Sequence, residues 1–164
     1  MKLLDEIQIK QKIQRLAYQI AENNFQMEEI VLLGINSNGF GVAKLIEKEL
    51  KKIIDSKVSV NRIKIKPANP YDHPIEIDKP LEDCANKVLI LVDDVANTGR
   101  TIFYAFKPLF NVKPSKIEVA VLVDRKHKHF PILVDYVGLS LATTVQENIV
   151  VKIMNVEELE VYLE

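Results

Sequence analysis

The sequence predicts an α/β protein with a central, mainly parallel, twisted sheet flanked by helices, together with a small hood. Two fully apolar runs, residues 30–33 and 88–92, and the mostly apolar run 117–123 indicate strands that are buried on both faces. Segments with apolar residues at helical spacing lie between these runs. Alternation of such strands and helices is typical of a parallel sheet with both faces covered. The 164 residues suit a single core, so we expect one domain spanning residues 1–164.

The first half of the chain alternates between helix and strand. Apolar residues at helical spacing predict an amphipathic helix over residues 13–20. After strand 30–33, residues 34–39 are predicted as a loop, and a second helix follows over residues 42–50. Residues 58–65 favour a strand, but their alternation changes phase near Arg62, which predicts a bulge or a break.

The second half begins with a segment crowded by prolines. Because proline has no backbone N–H, residues 67–83 are predicted as a loop or an edge excursion. Residues 102–109 favour a helix that Pro108 shortens or kinks. Two further strands are predicted at residues 136–141 and 148–154, and the acidic residues after 156 are interpreted as a solvated tail.

Composition excludes several classes of protein. The chain is 48% hydrophobic and 27% charged, which is typical of a soluble globular protein, and no stretch approaches the about 20 apolar residues of a membrane span. The net charge of -1 provides no global field that would attract nucleic acid or a membrane surface. Since Cys84 is the only cysteine, no internal disulfide can form, and we expect a cytoplasmic protein.

The segment after the strand at 88–92 has the strongest chemical signature. Asp93 and Asp94 follow the strand directly, and Thr98, Gly99 and Thr101 lead into the next helix. Backbone N–H groups and hydroxyls in such a turn suit a phosphate, and carboxylates suit sugar hydroxyls or Mg²⁺. The alternative is an ordinary turn in which Asp and Thr cap the helix. Capping needs only one such residue, so the pattern favours a phosphate site.

This string resembles the phosphoribosyl pyrophosphate (PRPP) signature of type I phosphoribosyltransferases, in which two acidic residues precede a loop ending Thr-Gly-x-Thr. The resemblance implies that Asp93 and Asp94 are catalytic, facing the ribose and Mg²⁺ directly or through water. It also implies that the following loop binds the 5′-phosphate. The residues of that loop are Val95, Ala96, Asn97, Thr98, Gly99, Arg100 and Thr101.

The resemblance extends over about residues 7–154 and is closest to the pyrimidine operon regulators, which are bifunctional uracil phosphoribosyltransferases. Residues 119–127 and 131–138 carry this likeness, and residues 33–39 resemble the pyrophosphate loop of the family. The implied pyrophosphate-binding residues are Asn36, Ser37, Asn38 and Gly39. The implied nucleotide-binding residues next to the base are Val123, Asp124 and Arg125.

The resemblance implies a Mg²⁺-dependent enzyme of pyrimidine salvage that joins PRPP and a nucleobase into a nucleoside monophosphate and pyrophosphate. Uracil is the expected base, because purine-salvage relatives tend to carry an Asp where this chain has Asn97, and an amide does not ionise. The alternative is a regulatory protein that binds nucleotides or RNA with weak or no catalysis. Related transferases commonly pair, so we expect a homodimer or a higher homo-oligomer.

Two departures from the family pattern bear on the rate. Asn38 stands where the pyrophosphate loop usually has an arginine, so one fixed positive charge is absent. A short proline-rich stretch, residues 67–83, replaces the longer loop that closes over the site in the family. We therefore expect PRPP binding to be retained and turnover to be weak.

Overall fold

The computed structural model describes residues 1–142, 144 and 146–164, and these contain nine β-strands and three α-helices. In chain order the elements are β1 (Lys2–Leu4), α1 (Glu6–Asn24), β2 (Glu29–Ile35), α2 (Asn36–Leu50), β3 (Lys57–Lys64), β4 (Glu76–Ile77), β5 (Lys87–Ala96), α3 (Arg100–Ala105), a 3-10 helix (Lys107–Leu109), β6 (Lys116–Arg125), β7 (Tyr136–Leu141), β8 (Ile149–Lys152) and β9 (Glu160–Leu163).

Six strands form the central sheet in the order β4-β3-β2-β5-β6-β7. All neighbours are parallel except β4, which pairs antiparallel with β3 at the edge. Helices α1 and α2 pack on one face of this sheet, and α3 with the 3-10 helix packs on the other. The predicted fold class is confirmed. None of the helices in the described part of the chain is long and apolar enough to cross a membrane.

Local sequence accounts for the ends of two helices. Helix α1 begins with a capping box: the Asp5 carboxylate accepts from the Gln8 backbone N–H (2.8 Å), and the Gln8 side chain accepts from the Asp5 backbone N–H (3.0 Å). Helix α3 stops at Ala105, and Pro108 lies in the 3-10 turn that follows. The predicted shortening by Pro108 is confirmed, because proline cannot continue α-helical hydrogen bonding.

The predicted bulge near Arg62 is wrong. Strand β3 keeps one continuous parallel register with β2, from the pair Lys57 and Glu29 to the pair Ile63 and Ile35. Its apolar residues change phase because both faces of the sheet are covered. Val58 packs in the core on the α1 side, whereas Ile63 packs in the core on the α3 side.

A second sheet, which we call the hood, consists of β1, β9 and β8, in that order and all antiparallel. The strand predicted at 148–154 therefore exists, but it lies in the hood and not in the central sheet. The predicted solvated tail is wrong over Glu160–Leu163, which forms the middle strand of the hood. Acidic residues are compatible with that strand because Glu160 pairs with Lys2 (2.6 Å) on its outer side while Val161 is fully buried.

The burial of Val161 gives a test of the hood. We expect Val161→Asp to lower the free energy of unfolding by about 3 kcal/mol or more, because it places an unpaired charge in the core. The same substitution at Val156, which is 40% exposed, is the matched control and should change stability little. Urea denaturation followed by circular dichroism measures both variants. Equal stabilities would show that the hood does not pack as described.

Candidate active site

A cavity of about 440 Å³ opens at the carboxyl ends of β2 and β5, which are adjacent in the sheet. Ligands of open α/β sheets bind at this edge. Two segments that the sequence placed in separate loops line this one cavity, together with residues from the proline-rich stretch and from the hood. The lining residues are Ile35, Asn36, Ser37, Asn38, Pro67, Asp93, Asp94, Val95, Asn97, Thr101 and Ile149.

Asp93 and Asp94 lie inside β5, which continues to Ala96, and not in a loop after it as the sequence predicted. Asp93 is buried, and its carboxylate accepts from the Asp94 backbone N–H (2.9 Å). Asp94 accepts from the Val95 backbone N–H with Oδ1 (2.8 Å) and from the Asn38 amide with Oδ2 (2.8 Å). Burial, and then the charge of Asp94, raise the pKa of Asp93 well above its ordinary value.

This acidic pair is suited to a cation. A positive ion would offset the cost of ionising Asp93 in the buried site. Among the described residues, no group of three or more His, Cys, Asp or Glu side chains is placed to hold a metal. Mg²⁺ is commonly held by only one or two carboxylates, with substrate oxygens and water as its other ligands. Asp93 and Asp94 therefore fit Mg²⁺ that arrives with a phosphorylated substrate.

The turn from β5 into α3 encloses a second, smaller cavity of about 50 Å³, whose lining includes Asn97, Thr98, Gly99 and Thr101. Only Asn97 to Gly99 lie outside regular structure, since Val95 and Ala96 belong to β5 and Arg100 begins α3. All seven predicted loop residues line this cavity, and it is mainly polar. Consecutive backbone N–H groups in such a turn form a concavity that binds anions.

The loop after β6 holds this turn in place. The backbone N–H groups of His129 and Phe130 donate to the carbonyl of Thr98 (2.9 and 3.1 Å). Gly99 has φ 84°, and a Cβ atom there would lie 2.8 Å from Cγ1 of Ile132. Glycine is therefore required both for the backbone angle and for the close approach of the neighbouring loop.

The predicted pyrophosphate loop is the first turn of α2, so the expected loop at 34–39 is wrong. The chain turns within one residue because Asn36 adopts a positive φ of 54°, which asparagine tolerates, and its side chain accepts from the Ile65 backbone N–H (2.9 Å). Asn36, Ser37 and Asn38 line the cavity. Gly39 does not line it: its Cα faces the β5 backbone, where a Cβ would lie 2.5 Å from the Val92 carbonyl oxygen.

Val123, Asp124 and Arg125 end β6, so the strand predicted at 117–123 continues two residues further. The Val123 side chain is fully buried in the core, and Asp124 pairs with Lys128. Arg125 reaches toward the site and donates to the side-chain oxygen of Asn97 (3.2 Å). Since arginine only donates, the Asn97 amide nitrogen is left as a donor for a ligand.

Sequence reasoning missed Pro67 and Ile149, which complete the cavity wall. Arg100, which was assigned to the phosphate loop, donates to the carbonyl of Pro67 (2.9 Å) and ties the proline-rich stretch to α3. The Pro67 partner of Arg100 is a main-chain oxygen, which every residue type has, and Ile149 belongs to a hood strand that is distant from the site in sequence. Neither leaves a recognisable pattern in the sequence.

The chain is similar to known proteins in both sequence and fold. The phosphoribosyl transferase domain model matches residues 2–153. The bifunctional protein PyrR of Streptococcus agalactiae is 37% identical over 155 residues, covering 93% of this chain and 89% of its own. The bifunctional protein PyrR of Streptococcus equi subsp. zooepidemicus is 38% identical over 159 residues, which cover 94% of this chain and 91% of that protein. The crystal structure of hypoxanthine phosphoribosyltransferase from Trypanosoma cruzi superposes on this chain with a TM-score of 0.74. The superposition covers 98% of this chain and 95% of the other, and the 17% sequence identity shows a likeness of fold alone.

Proposed function

This chain belongs to the phosphoribosyl transferase domain family and is a phosphoribosyltransferase, and we propose that it joins PRPP and uracil into uridine monophosphate and pyrophosphate. One observation carries the proposal: Asp93 lines both the large cavity at the N-terminus of α2 and the smaller cavity in the turn into α3. We further propose that residues 1–164 act as one cytoplasmic phosphoribosyltransferase domain that forms a homodimer or a higher homo-oligomer.

PRPP carries negative charge at both ends, so its binding calls for an anion site on either side of the carboxylates. The 5′-phosphate is proposed to bind the turn at residues 97–101, where backbone N–H groups and the hydroxyls of Thr98 and Thr101 converge. The pyrophosphate is proposed to lie at the N-terminus of α2, whose first backbone N–H groups have no partners within the helix. The ribose then lies between them, with its hydroxyls toward Asp93 and Asp94.

In the proposed reaction the bond from ribose C1 to the pyrophosphate oxygen breaks, and a bond from C1 to a uracil nitrogen forms. The proton of that nitrogen passes to water or to the departing pyrophosphate. Positive charge develops on the ribose ring, and the carboxylates of Asp93 and Asp94 stabilise it. Asp93 and Asp94 would hold Mg²⁺, directly or through water and ribose hydroxyls, and the ion would supply positive charge for the departing pyrophosphate. The two anion sites hold the ends of PRPP in place, which contributes through orientation.

Uracil is proposed as the base because of the residues near its expected position. Asn97 offers an uncharged amide donor and no carboxylate that could accept a proton from a purine ring. Arg125 fixes the orientation of that amide, and the backbone near Val123 is proposed to meet the edge of the base. The sequence relatives of highest identity described above are PyrR proteins, whereas the hypoxanthine enzyme shares only the fold.

We expect uracil to be converted faster than hypoxanthine, guanine or orotate in a screen with Mg-PRPP at saturation. The expected kcat for uracil is well below the roughly 10 per second of an ordinary enzyme, because no cationic side chain occupies the position of Asn38. Reactions without PRPP are the control. Faster conversion of a purine would overturn the base assignment, and turnover near the ordinary range would overturn the expectation of a weak enzyme.

A regulatory role that includes RNA binding is the second candidate, favoured by the 37–38% identity to proteins named bifunctional. The basic run Arg125–Lys–His–Lys–His129 provides a local patch despite the net charge of -1. Phosphate contacts dominate RNA affinity, so true RNA binding should weaken steeply as salt is raised. RNA affinity that is absent at low salt would exclude this candidate and leave the transferase proposal untouched.

A further inference from the structure

Asn38 connects the acidic pair to the hood. Its amide nitrogen donates to Oδ2 of Asp94 (2.8 Å) and to the main-chain carbonyl of Val151 in β8 (3.1 Å). An asparagine amide has two hydrogens, and both are used by these partners. The side chain that stands in place of the family's arginine therefore has no donor left for pyrophosphate. It bridges two parts of the protein.

Close packing fixes both sides of this bridge. A Cβ atom on Gly39 would lie 2.5 Å from the Val92 carbonyl oxygen, so the first turn of α2 rests directly on the end of β5. A Cβ on Gly41 would lie 2.7 Å from Cγ2 of Ile153, so the same helix also abuts the chain just after β8. Asn38 directly precedes Gly39 in the first turn of this helix. Its amide consequently meets Asp94 and Val151 in a geometry that the backbone determines.

We propose that Asn38 is a positioning residue that couples the hood to the orientation of the Asp94 carboxylate. With Oδ1 bound to the Val95 N–H and Oδ2 bound to Asn38, Asp94 is held in one side-chain conformation. Residue Ile149 lies two positions before Val151 on β8 and lines the cavity. The amide that orients the Asp94 carboxylate thus also holds β8, the hood strand that lines the cavity through Ile149. The consequence for PRPP rests on the function proposed above; the coupling itself does not.

Two substitutions separate the loss of the donors from the addition of charge. Asn38→Asp is nearly isosteric but places acceptors against Asp94 and the Val151 carbonyl. Asn38→Ala removes the donors without adding a charge. It tests the coupling by itself if the aspartate variant fails to fold. Lys48→Gln, at an exposed position near the end of the same helix, is the control.

Amide hydrogen exchange, measured without ligand, reports on both partners of Asn38: the Asp94 region of β5 and the Val151 region of β8. In each Asn38 variant we expect exchange of the amides in Ile149–Lys152, and of the Val95 amide, to be about tenfold faster than in the wild type. Exchange within Glu6–Asn24 should be unchanged, because the two acceptors of the Asn38 amide lie in β5 and β8 and not in α1. The Kd for Mg-PRPP, from titration calorimetry, should rise about tenfold, with the aspartate variant affected more.

The outcomes are distinguishable. Wild-type exchange rates at β8 and Val95 in both variants would overturn the coupling. Faster exchange with unchanged PRPP affinity would reduce Asn38 to a structural contact and overturn its positioning role. If the wild type itself fails to bind PRPP, the proposed function fails, and the exchange measurements still decide whether the hood and the acidic pair are coupled.

Discussion

The double variant Asp93→Asn/Asp94→Asn is expected to lose affinity for Mg-PRPP by about a hundredfold or more and to have no detectable turnover. Both carboxylates lie near the carboxyl end of β5, where the large cavity adjoins the turn into α3. Asparagine preserves their shape but removes the charges that would hold Mg²⁺ and stabilise the ribose in the transition state. The loss should therefore appear in binding and in rate together.

The fold should survive this change. The pKa of Asp93 is raised by burial and by Asp94, so its ionised form destabilises the folded protein, and a neutral amide removes that cost. We expect an unfolding temperature at or above the wild-type value. Titration calorimetry with Mg-PRPP measures the affinity, and Glu22→Gln/Asp55→Asn removes the same number of charges at exposed positions as a control. Equal PRPP affinity in the wild type and in the site variant would refute the ribose-binding role.

The central sheet was predictable because burial on both faces leaves continuous apolar runs, as in strand 30–33 and strand 88–92. The ends of the strands were not predictable at the site. Asp93 and Asp94 interrupt the apolar pattern, yet β5 continues its parallel pairing with β6 as far as Ala96. Asn36 resembles a loop residue, yet it starts α2 directly after β2. Polar side chains replaced apolar ones there while the main-chain hydrogen bonds continued.

The sequence predicted a hood and one of its strands, β8, but not β1 or β9. The hood pairs Lys2 with Tyr162 across nearly the whole chain, and strands this short carry little periodicity. The bridge at Asn38 was equally inaccessible, because one of its acceptors is the main-chain carbonyl of Val151, which every residue type would supply. The turn at residues 97–101 could be picked out from the sequence for the opposite reason: it carries distinctive residue types at fixed offsets, such as Thr98, Gly99 and Thr101.

The second large effect is expected at Gly99, where we predict that Gly99→Val weakens Mg-PRPP binding about a hundredfold and destabilises the fold by roughly 2 kcal/mol or more. Valine is strongly disfavoured at φ 84°, and its Cβ would begin 2.8 Å from Cγ1 of Ile132. The turn cannot move away from this overlap without loss, because the carbonyl of Thr98 is held by the backbone N–H groups of His129 and Phe130. Distortion of the turn would misdirect the N–H groups proposed to bind the 5′-phosphate.

A smaller substitution separates backbone strain from overlap. Gly99→Ala should lose less PRPP affinity and less stability than Gly99→Val, since alanine must adopt the same unfavourable φ but adds only one carbon. Adding Ile132→Ala removes the overlapping side chain, so PRPP affinity in the double variant should recover only in part, with the backbone strain remaining. Calorimetry with Mg-PRPP and urea denaturation measure the two effects on the same samples. If Gly99→Val binds PRPP like the wild type while remaining folded, the 5′-phosphate does not bind at this turn, and the proposed placement of PRPP in the cavity is wrong.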